Sequence, residues 1–302
     1  MMRQYKRRPI FLLISIFSLL LGLLAGCGGP SSQEGASNKI MVVAAEDFYG
    51  EAVQAVGGKR VSVTSVINKP SMDPHDFEPT AATARAVSDA KLVVFNGVGY
   101  DGWMNNLVKQ SKAQTTIRVA EDVMGKKDGD NEHLWYNPET MPKLTNAIAE
   151  QLSKIDEKHA AEYKNNAKKY IEELRPIQEK VAALSKHADH KKVDVSEPVF
   201  DYMVQALGYT IANNHFETAV EQESDPSPKD IAAMQKDIKE QRIAFFVSNI
   251  QEISPTVSKM MKLADQHDVP VVKVTETLPK GKNYKTWMLD QLSQVEAAQN
   301  RH

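Results

Sequence analysis

The sequence predicts an α/β protein with two similar lobes, each a mostly parallel sheet flanked by helices, joined by one long rigid helix. Strand-like and helix-like patterns alternate on both sides of a long amphipathic segment. Such alternation is typical of parallel sheets covered on both faces. Because ligands of these sheets bind beyond the carboxyl ends of the strands, we expect the functional site in the cleft between the lobes.

The chain begins with a predicted lipoprotein signal peptide, residues 1–27. Basic residues precede an apolar run from Ile10 to Leu24, which is shorter than the roughly 20 residues of a membrane-spanning helix. The tetrapeptide Leu24-Ala25-Gly26-Cys27 resembles the bacterial lipobox, in which the cysteine carries the lipid. We therefore expect an extracytoplasmic protein, lipid-anchored to the cell membrane through Cys27, rather than one with a retained transmembrane helix.

Composition narrows the classes of function. Cys27 is the only cysteine, so a disulfide within the chain and a zinc site of several cysteines are excluded. Residues 28–38, rich in Gly and Ser, are predicted to be a flexible spacer. The formal net charge of −2 becomes more negative once the basic signal peptide is removed. A mildly acidic body has no electrostatic attraction to nucleic acid, but it suits a cationic ligand.

The first lobe is predicted to occupy residues 39–156. Its short Val/Ile-rich segments are bounded by turn residues, which is typical of buried strands. The predicted strands are Ile40–Ala45, Val61–Ile67, Leu92–Asn96 and Thr115–Val119, and the predicted helices are Phe48–Val56, Thr80–Ala90 and Asp101–Lys109.

Residues 157–188 are predicted to form the connecting long helix. Apolar residues recur at alternating steps of four and three, which places them on one face. They are Tyr163, Ala167, Tyr170, Leu174, Ile177, Val181 and Leu184. A coiled coil is the alternative, but Pro176 interrupts its three heptads.

The second lobe is predicted to occupy residues 189–302, where the alternation resumes. The predicted strands are Val193–Ser196, Tyr209–Asn213, Ile243–Ser248 and Val269–Thr275. The predicted helices are Val199–Leu207, Asp230–Gln241, Pro255–Asp268 and Tyr284–Ala298.

Four residues that follow strands are candidate metal ligands. His75 lies in a loop with a proline on either side, and His133 lies between polar and aromatic residues. Glu197 and Glu276 follow the first and last strands of the second lobe. Taken singly, each histidine fits an exposed loop as well as a ligand position, and each carboxylate fits a helix cap. Together, two imidazoles and two carboxylates would neutralise a divalent cation shared by the lobes.

These segments resemble those of the metal-binding lipoproteins that serve ATP-driven manganese and zinc importers, the zinc-uptake A family (cluster A-I solute-binding proteins). The resemblance extends from Ile40 to about Ala298. The matching segments are Asp73-Pro74-His75-Asp76-Phe77-Glu78-Pro79-Thr80, Asn131-Glu132-His133-Leu134-Trp135, Ser196-Glu197-Pro198-Val199-Phe200-Asp201-Tyr202 and Val274-Thr275-Glu276-Thr277. The resemblance implies that His75, His133, Glu197 and Glu276 are the four metal ligands.

The chain departs from the family pattern at two ligands. Zinc-selective members commonly have a histidine where this chain has Glu197, and manganese-type members resemble it in having glutamate. The fourth ligand is usually aspartate, whereas here it is Glu276. A His-rich acidic loop, frequent in zinc importers, is absent from Met124 to Glu132. His215, which follows a predicted strand, is a candidate further neighbour of the metal, although the family does not use this position as a ligand.

The resemblance implies capture of one divalent ion, Mn²⁺ or Zn²⁺, and its delivery to an ABC permease driven by a cytoplasmic ATPase. The mixed donor set suits both ions, and carboxylates that bind through both oxygens favour Mn²⁺ slightly. We expect a monomer with no catalytic activity. Three alternatives stay open: a metallohydrolase, disfavoured because four protein ligands leave little room for substrate, a binder of an organic solute, and a surface-displayed adhesin or interaction protein with a structural metal site.

Overall fold

The first of two four-stranded parallel sheets forms from β1 (Ile40–Glu46), β2 (Val61–Ile67), β3 (Leu92–Phe95) and β4 (Thr116–Arg118), in the order β2-β1-β3-β4. The computed structural model describes residues 39–111, 115–251 and 254–301. The predicted signal peptide, the lipidated Cys27 and the spacer 28–38 lie outside these residues. Every residue of β3 is buried, as expected for a strand with helices on both faces. Helices α1 (Asp47–Gly57), α2 (Ala81–Asp89) and α3 (Gly102–Gln110) alternate with these strands.

The second sheet has the same parallel arrangement. Strands β5 (Lys192–Val195), β6 (Thr210–Ile211), β7 (Phe246–Asn249) and β8 (Val271–Val274) lie in the order β6-β5-β7-β8. Its helices are α6 (Asp201–Ala206), α7 (Asn214–Glu221), α8 (Pro228–Lys239), α9 (Pro255–Gln266) and α10 (Tyr284–Gln299). Because both sheets have the same strand order, each has one topological switch point, between β1 and β3 in the first sheet and between β5 and β7 in the second.

Two longer helices lie between the sheets in the sequence, α4 (Thr140–Ile155) and α5 (Ala160–Leu184). Helix α5 is the predicted long helix, and all seven apolar residues of its predicted stripe are buried. Its 25 residues correspond to a length of about 37 Å. Helix α5 packs against α4, α1 and α10, so it contacts helices from both sides of the sequence.

The main hydrophobic core is continuous through both sheets and α5. It extends from Ile40 to Ala298 and includes the large side chains of Trp135, Tyr163 and Trp287. Smaller clusters lie under α8 and α9 and between the first sheet and α3. The described residues form one compact unit. The lobe limits 39–156, 157–188 and 189–302 stay predictions.

The predicted α/β class with two parallel sheets and a long central helix is confirmed. Each predicted strand overlaps an observed one, with ends that differ by up to a few residues, and β6 has only two residues. Two helices were not predicted. Helix α4 has a clear apolar pattern at Met141, Leu144, Ile148 and Leu152, which the sequence analysis overlooked. Helix α7 is short, and only Phe216 and Glu217 are buried in it, so it has almost no apolar stripe.

None of the helices in the described ranges is both long enough and apolar enough to cross a membrane.

Candidate metal centre

The loop between β2 and α2 presents His75 to the cleft. The backbone N–H of His75 donates to Asp73 Oδ1 at 2.8 Å, and Trp103 Nε1 donates to the Pro74 carbonyl at 3.0 Å. The ring of Phe77 packs against Trp103 with centroids 4.7 Å apart. These contacts fasten the loop to α3, so the imidazole is held in place while 39% of the side chain stays exposed.

His133 is the buried histidine of the site, with 1% of its side chain exposed. Its Nδ1 lies 3.0 Å from Asn131 Oδ1, which also accepts the backbone N–H of His133 at 2.8 Å. Because an amide oxygen only accepts, the proton is on Nδ1 and the Nε2 lone pair faces the site. Burial lowers the pKa of His133 to about 4, against the attraction of Glu276, so the ring is neutral and ready to bind a metal at neutral pH.

Asn131 also joins the His133 segment to the segment that follows Glu197. Its side-chain amide donates to the Pro198 carbonyl at 2.8 Å, and its own carbonyl accepts the Tyr202 hydroxyl at 2.8 Å. One residue therefore sets the tautomer of His133 and fixes its position relative to Glu197. Partners of this kind orient the ligands of metal sites and tune their basicity.

The two predicted carboxylates lie beyond β5 and β8. Glu197, 6% exposed, directly precedes a short 3₁₀ turn. The backbone N–H groups of Glu276 and Thr277 donate to Gln251 Oε1 at 2.6 and 3.0 Å, and the amide of Gln251 donates to the Pro70 carbonyl at 2.6 Å. This link ties the segment of Glu276 to the chain just after β2. Glu276 Oε1 consequently lies 3.4 Å from His75 Nε2.

Two further glutamates, absent from the predicted set, join these side chains. Glu132 Oε1 lies 3.9 Å from His75 Nε2, and Glu221 Oε1 lies 3.9 Å from His133 Nε2. Donor atoms of His75, Glu132 and Glu221 all lie within 4.8 Å of one another. Glu132 could have been found, because it directly precedes His133. Glu221 is at the end of α7, a helix that the sequence analysis did not predict, and it had no sequence signal.

The separations between donors suit a bound cation. Two ligand atoms at about 2.1 Å from a metal, at a tetrahedral angle, lie about 3.4 Å apart. The His75–Glu276 separation of 3.4 Å and the two separations of 3.9 Å are close to this value. Imidazole nitrogens with carboxylate oxygens suit zinc, manganese and iron alike.

Electrostatics in the cleft also favour a cation. Burial, with repulsion from neighbouring carboxylates, raises the pKa of Glu221 to about 9 and raises that of Glu132. Burial of His75 opposes its protonation, but Glu276 and the other carboxylates outweigh this and raise its pKa to about 9. Burial would raise the pKa of Glu276, yet the imidazoles of His75 and His133 lower it overall. Protons on these side chains relieve the repulsion between the carboxylates. A divalent ion would displace those protons and neutralise the carboxylates in their place.

Tyr100, which the sequence analysis missed, lies between the two histidine rings. It is fully buried, with centroids 5.0 Å from His75 and 6.2 Å from His133. The preceding loop has positive φ angles from Gly97 to Gly99, and Asp101 accepts the N–H groups of Asn96 and Gly97 at 2.6 and 2.9 Å. The tight turn after β3 thus places the Tyr100 ring against both imidazoles.

Four of the donors line a cleft of about 790 Å³, namely His75, Glu197, Glu221 and Glu276. Its wall is acidic, with Asp73 and Asp76 from the first half of the chain and Glu223 and Asp225 from the second. His215 is not among the residues that line this cleft. It is exposed on the first turn of α7, so the structure does not bring it to the other donors.

The chain is similar to proteins that are named for metal binding and metal transport. The profile of a family described as the periplasmic zinc-uptake complex component A matches residues 42–298. The chain is 26% identical to a metal ABC transporter substrate-binding lipoprotein of Streptococcus parasanguinis, over 92% of this chain and 95% of the relative. It is also 26% identical to a manganese-binding lipoprotein of Halalkalibacterium halodurans, over 62% of this chain and 64% of the relative.

A solved structure shares the fold. The periplasmic zinc-binding protein of Treponema pallidum superposes with a TM-score of 0.70, over 86% of this chain and 99% of the other, at 18% identity.

Proposed function

The chain belongs to the zinc-uptake complex component A family, and we propose on that premise that it captures a divalent transition-metal ion and delivers it to an ABC-type importer. The observation that supports the proposal is that His75, Glu197 and Glu276, which follow strands of both sheets, line one cleft, and that His133 Nε2 lies 3.9 Å from Glu221 of the same cleft. The relative from Streptococcus parasanguinis is named a metal ABC transporter substrate-binding lipoprotein, and this name supports delivery of the ion to a permease.

The ligands of the cargo ion are the four predicted residues. His133 is held by Asn131 as a neutral ring, and Glu276 is held by Gln251. Because these supports link both halves of the chain, capture needs no large movement, and small shifts of the loops would release the ion. Binding and release need no covalent step, which fits a transport component better than a hydrolase.

We propose Mn²⁺ as the cargo, with Zn²⁺ as the alternative. Carboxylate oxygens outnumber imidazole nitrogens around the cleft, and oxygen-rich sites with more than four donors suit Mn²⁺. A relative is named a manganese-binding protein, whereas a structure of the same fold is named a zinc-binding protein. Zn²⁺ would still bind more tightly than Mn²⁺ in a simple competition, as the Irving–Williams order requires.

We further propose that Cys27 carries a lipid and that the monomer works on the outer face of the cytoplasmic membrane. Tethering keeps the metal-loaded protein beside its permease and its ATPase, which raises their effective concentration without any new contact. The relative from Streptococcus parasanguinis is named as a component of a metal transporter, which favours this role over the adhesin alternative.

The test is metal stoichiometry of the full chain, extracted in detergent and dialysed against a metal buffer. Elemental analysis should find one ion per wild-type chain, whereas His75→Ala and Glu276→Ala should bind none tightly. His215→Ala is the matched control, an exposed histidine outside the cleft, and should retain one ion. Stoichiometric metal in a variant lacking all four predicted ligands would disprove the site.

A further inference from the structure

Glu221 is placed like a metal ligand, although the family resemblance assigns it no role. It is the last residue of α7, and 22% of its side chain is exposed. Its Oε1 lies 3.9 Å from His133 Nε2, and its carboxylate belongs to the group of donors with His75 and Glu132. It therefore approaches both imidazoles of the site.

The surroundings of Glu221 offer it no permanent positive charge. No lysine or arginine of the described ranges forms an ion pair with it, and the His133 imidazole, with Nε2 3.9 Å from its Oε1, is neutral. Three other glutamates, Glu132, Glu197 and Glu276, act on it as like charges. Its position at the carboxyl end of a helix is also unfavourable, because the helix dipole is negative there. A cation in the cleft would remove all of these penalties together.

Glu276 supplies a second observation that points to the same ion. Its Oε1 is buried and accepts no well-aligned hydrogen bond from the described residues, although His75 Nε2 lies 3.4 Å away as an ion-pair partner. A buried carboxylate oxygen without a well-aligned donor is costly, so a bound cation would stabilise it. His75 lies close to Glu276 and also belongs to the group of donors that contains Glu221. An ion bound by His75 and Glu276 would therefore lie within reach of Glu221.

We propose that Glu221 is a fifth protein ligand and that it makes the site selective for Mn²⁺ over Zn²⁺. This inference rests on the proposed metal-capture function. Zn²⁺ is satisfied by four donors in tetrahedral geometry, so it gains little from another carboxylate. Mn²⁺ prefers oxygen ligands and a higher coordination number, so it gains more. Helix α7, which the sequence analysis missed, thus carries the residue that discriminates between the ions.

The experiment compares Mn²⁺ and Zn²⁺ affinities of the full-length wild type, Glu221→Gln and Glu221→Ala by chelator competition. Glutamine keeps the shape of the side chain, and circular dichroism checks that both variants fold. Glu223→Gln is the matched control, because it removes a nearby charge from the cleft wall outside the donor group. Visible spectra of the Co²⁺ forms report the coordination number separately from affinity.

We expect both Glu221 variants to lose about tenfold or more in Mn²⁺ affinity, a loss typical of perturbed metal sites, with a much smaller loss for Zn²⁺. Their Co²⁺ spectra should become more intense, as expected when the coordination number falls. Glu223→Gln should weaken both ions slightly and equally. Equal losses for both ions at Glu221, or none, would overturn the inference while leaving metal capture intact. A wild type that binds neither ion would instead overturn the proposed function.

Discussion

Replacing Asp194 with asparagine is predicted to stabilise the folded protein at neutral pH. Asp194 lies within β5, is fully buried, and neither carboxyl oxygen has a hydrogen-bond partner among the described residues. Burial, with a smaller contribution from the charge of Asp237, raises the pKa of Asp194 from 3.8 to about 7. Asparagine has nearly the size and polarity of the protonated carboxyl, so the exchange removes only the charge.

The magnitude follows from the difference between the folded and unfolded pKa values of Asp194, 3.8 and about 7. One pKa unit corresponds to about 1.4 kcal/mol, so the carboxyl reduces the free energy of unfolding by about 4 kcal/mol near pH 7 to 8. The folded protein binds this proton more tightly than the unfolded chain. Stability of the wild type relative to the variant therefore rises as pH falls through 7, and the penalty disappears below the unfolded pKa of 3.8.

Urea unfolding followed by tryptophan fluorescence measures this effect at about pH 8, 7 and 5, with the full chain in chelator so that bound metal does not contribute. Asp194→Asn should exceed the wild type by about 4 kcal/mol at pH 8 and by less than about 2 kcal/mol at pH 5. Asp265→Asn, at an exposed position on α9, is the control and should change little. A variant less stable than the wild type at pH 8, or an advantage independent of pH, would refute the reasoning.

Two further predictions concern the site. Because the pKa of His75 is raised to about 9, a metal must displace its proton near neutral pH. Metal affinity should therefore increase up to about tenfold per pH unit for each proton displaced between about pH 6.5 and 8.5. Titration calorimetry in buffers of different ionisation enthalpy should detect the released protons, and an affinity independent of pH would contradict this. Gly97→Ala should reduce stability by about 1–3 kcal/mol and weaken metal binding. Gly97 has φ 87°, and a Cβ there would lie 2.2 Å from Glu121 Oε2. Gly102→Ala, with open space around the Cβ, should melt close to the wild-type temperature and serves as the control.

Much of the fold follows from local patterns. Short Val/Ile runs between turn residues predicted the eight strands that the described residues form, because strands covered by helices need largely apolar residues. The stripe from Tyr163 to Leu184 predicted α5, because its spacing matches one face of a helix. Helix α7 escaped prediction, since its contacts with the cleft depend on polar residues that no periodic pattern reveals.

The sequence by itself determined the α/β class and selected His75, His133, Glu197 and Glu276 as candidate ligands through motifs next to strand ends. Only the tertiary structure decided which other groups join them. Glu132 and Glu221 approach the imidazoles, and His215 stays exposed. The physical reason is that a metal site is a set of distances between residues far apart in the chain. Those distances depend on hydrogen bonds between segments far apart in the chain, such as those from the side chains of Asn131 and Gln251. Neither composition nor sequence spacing reveals such hydrogen bonds.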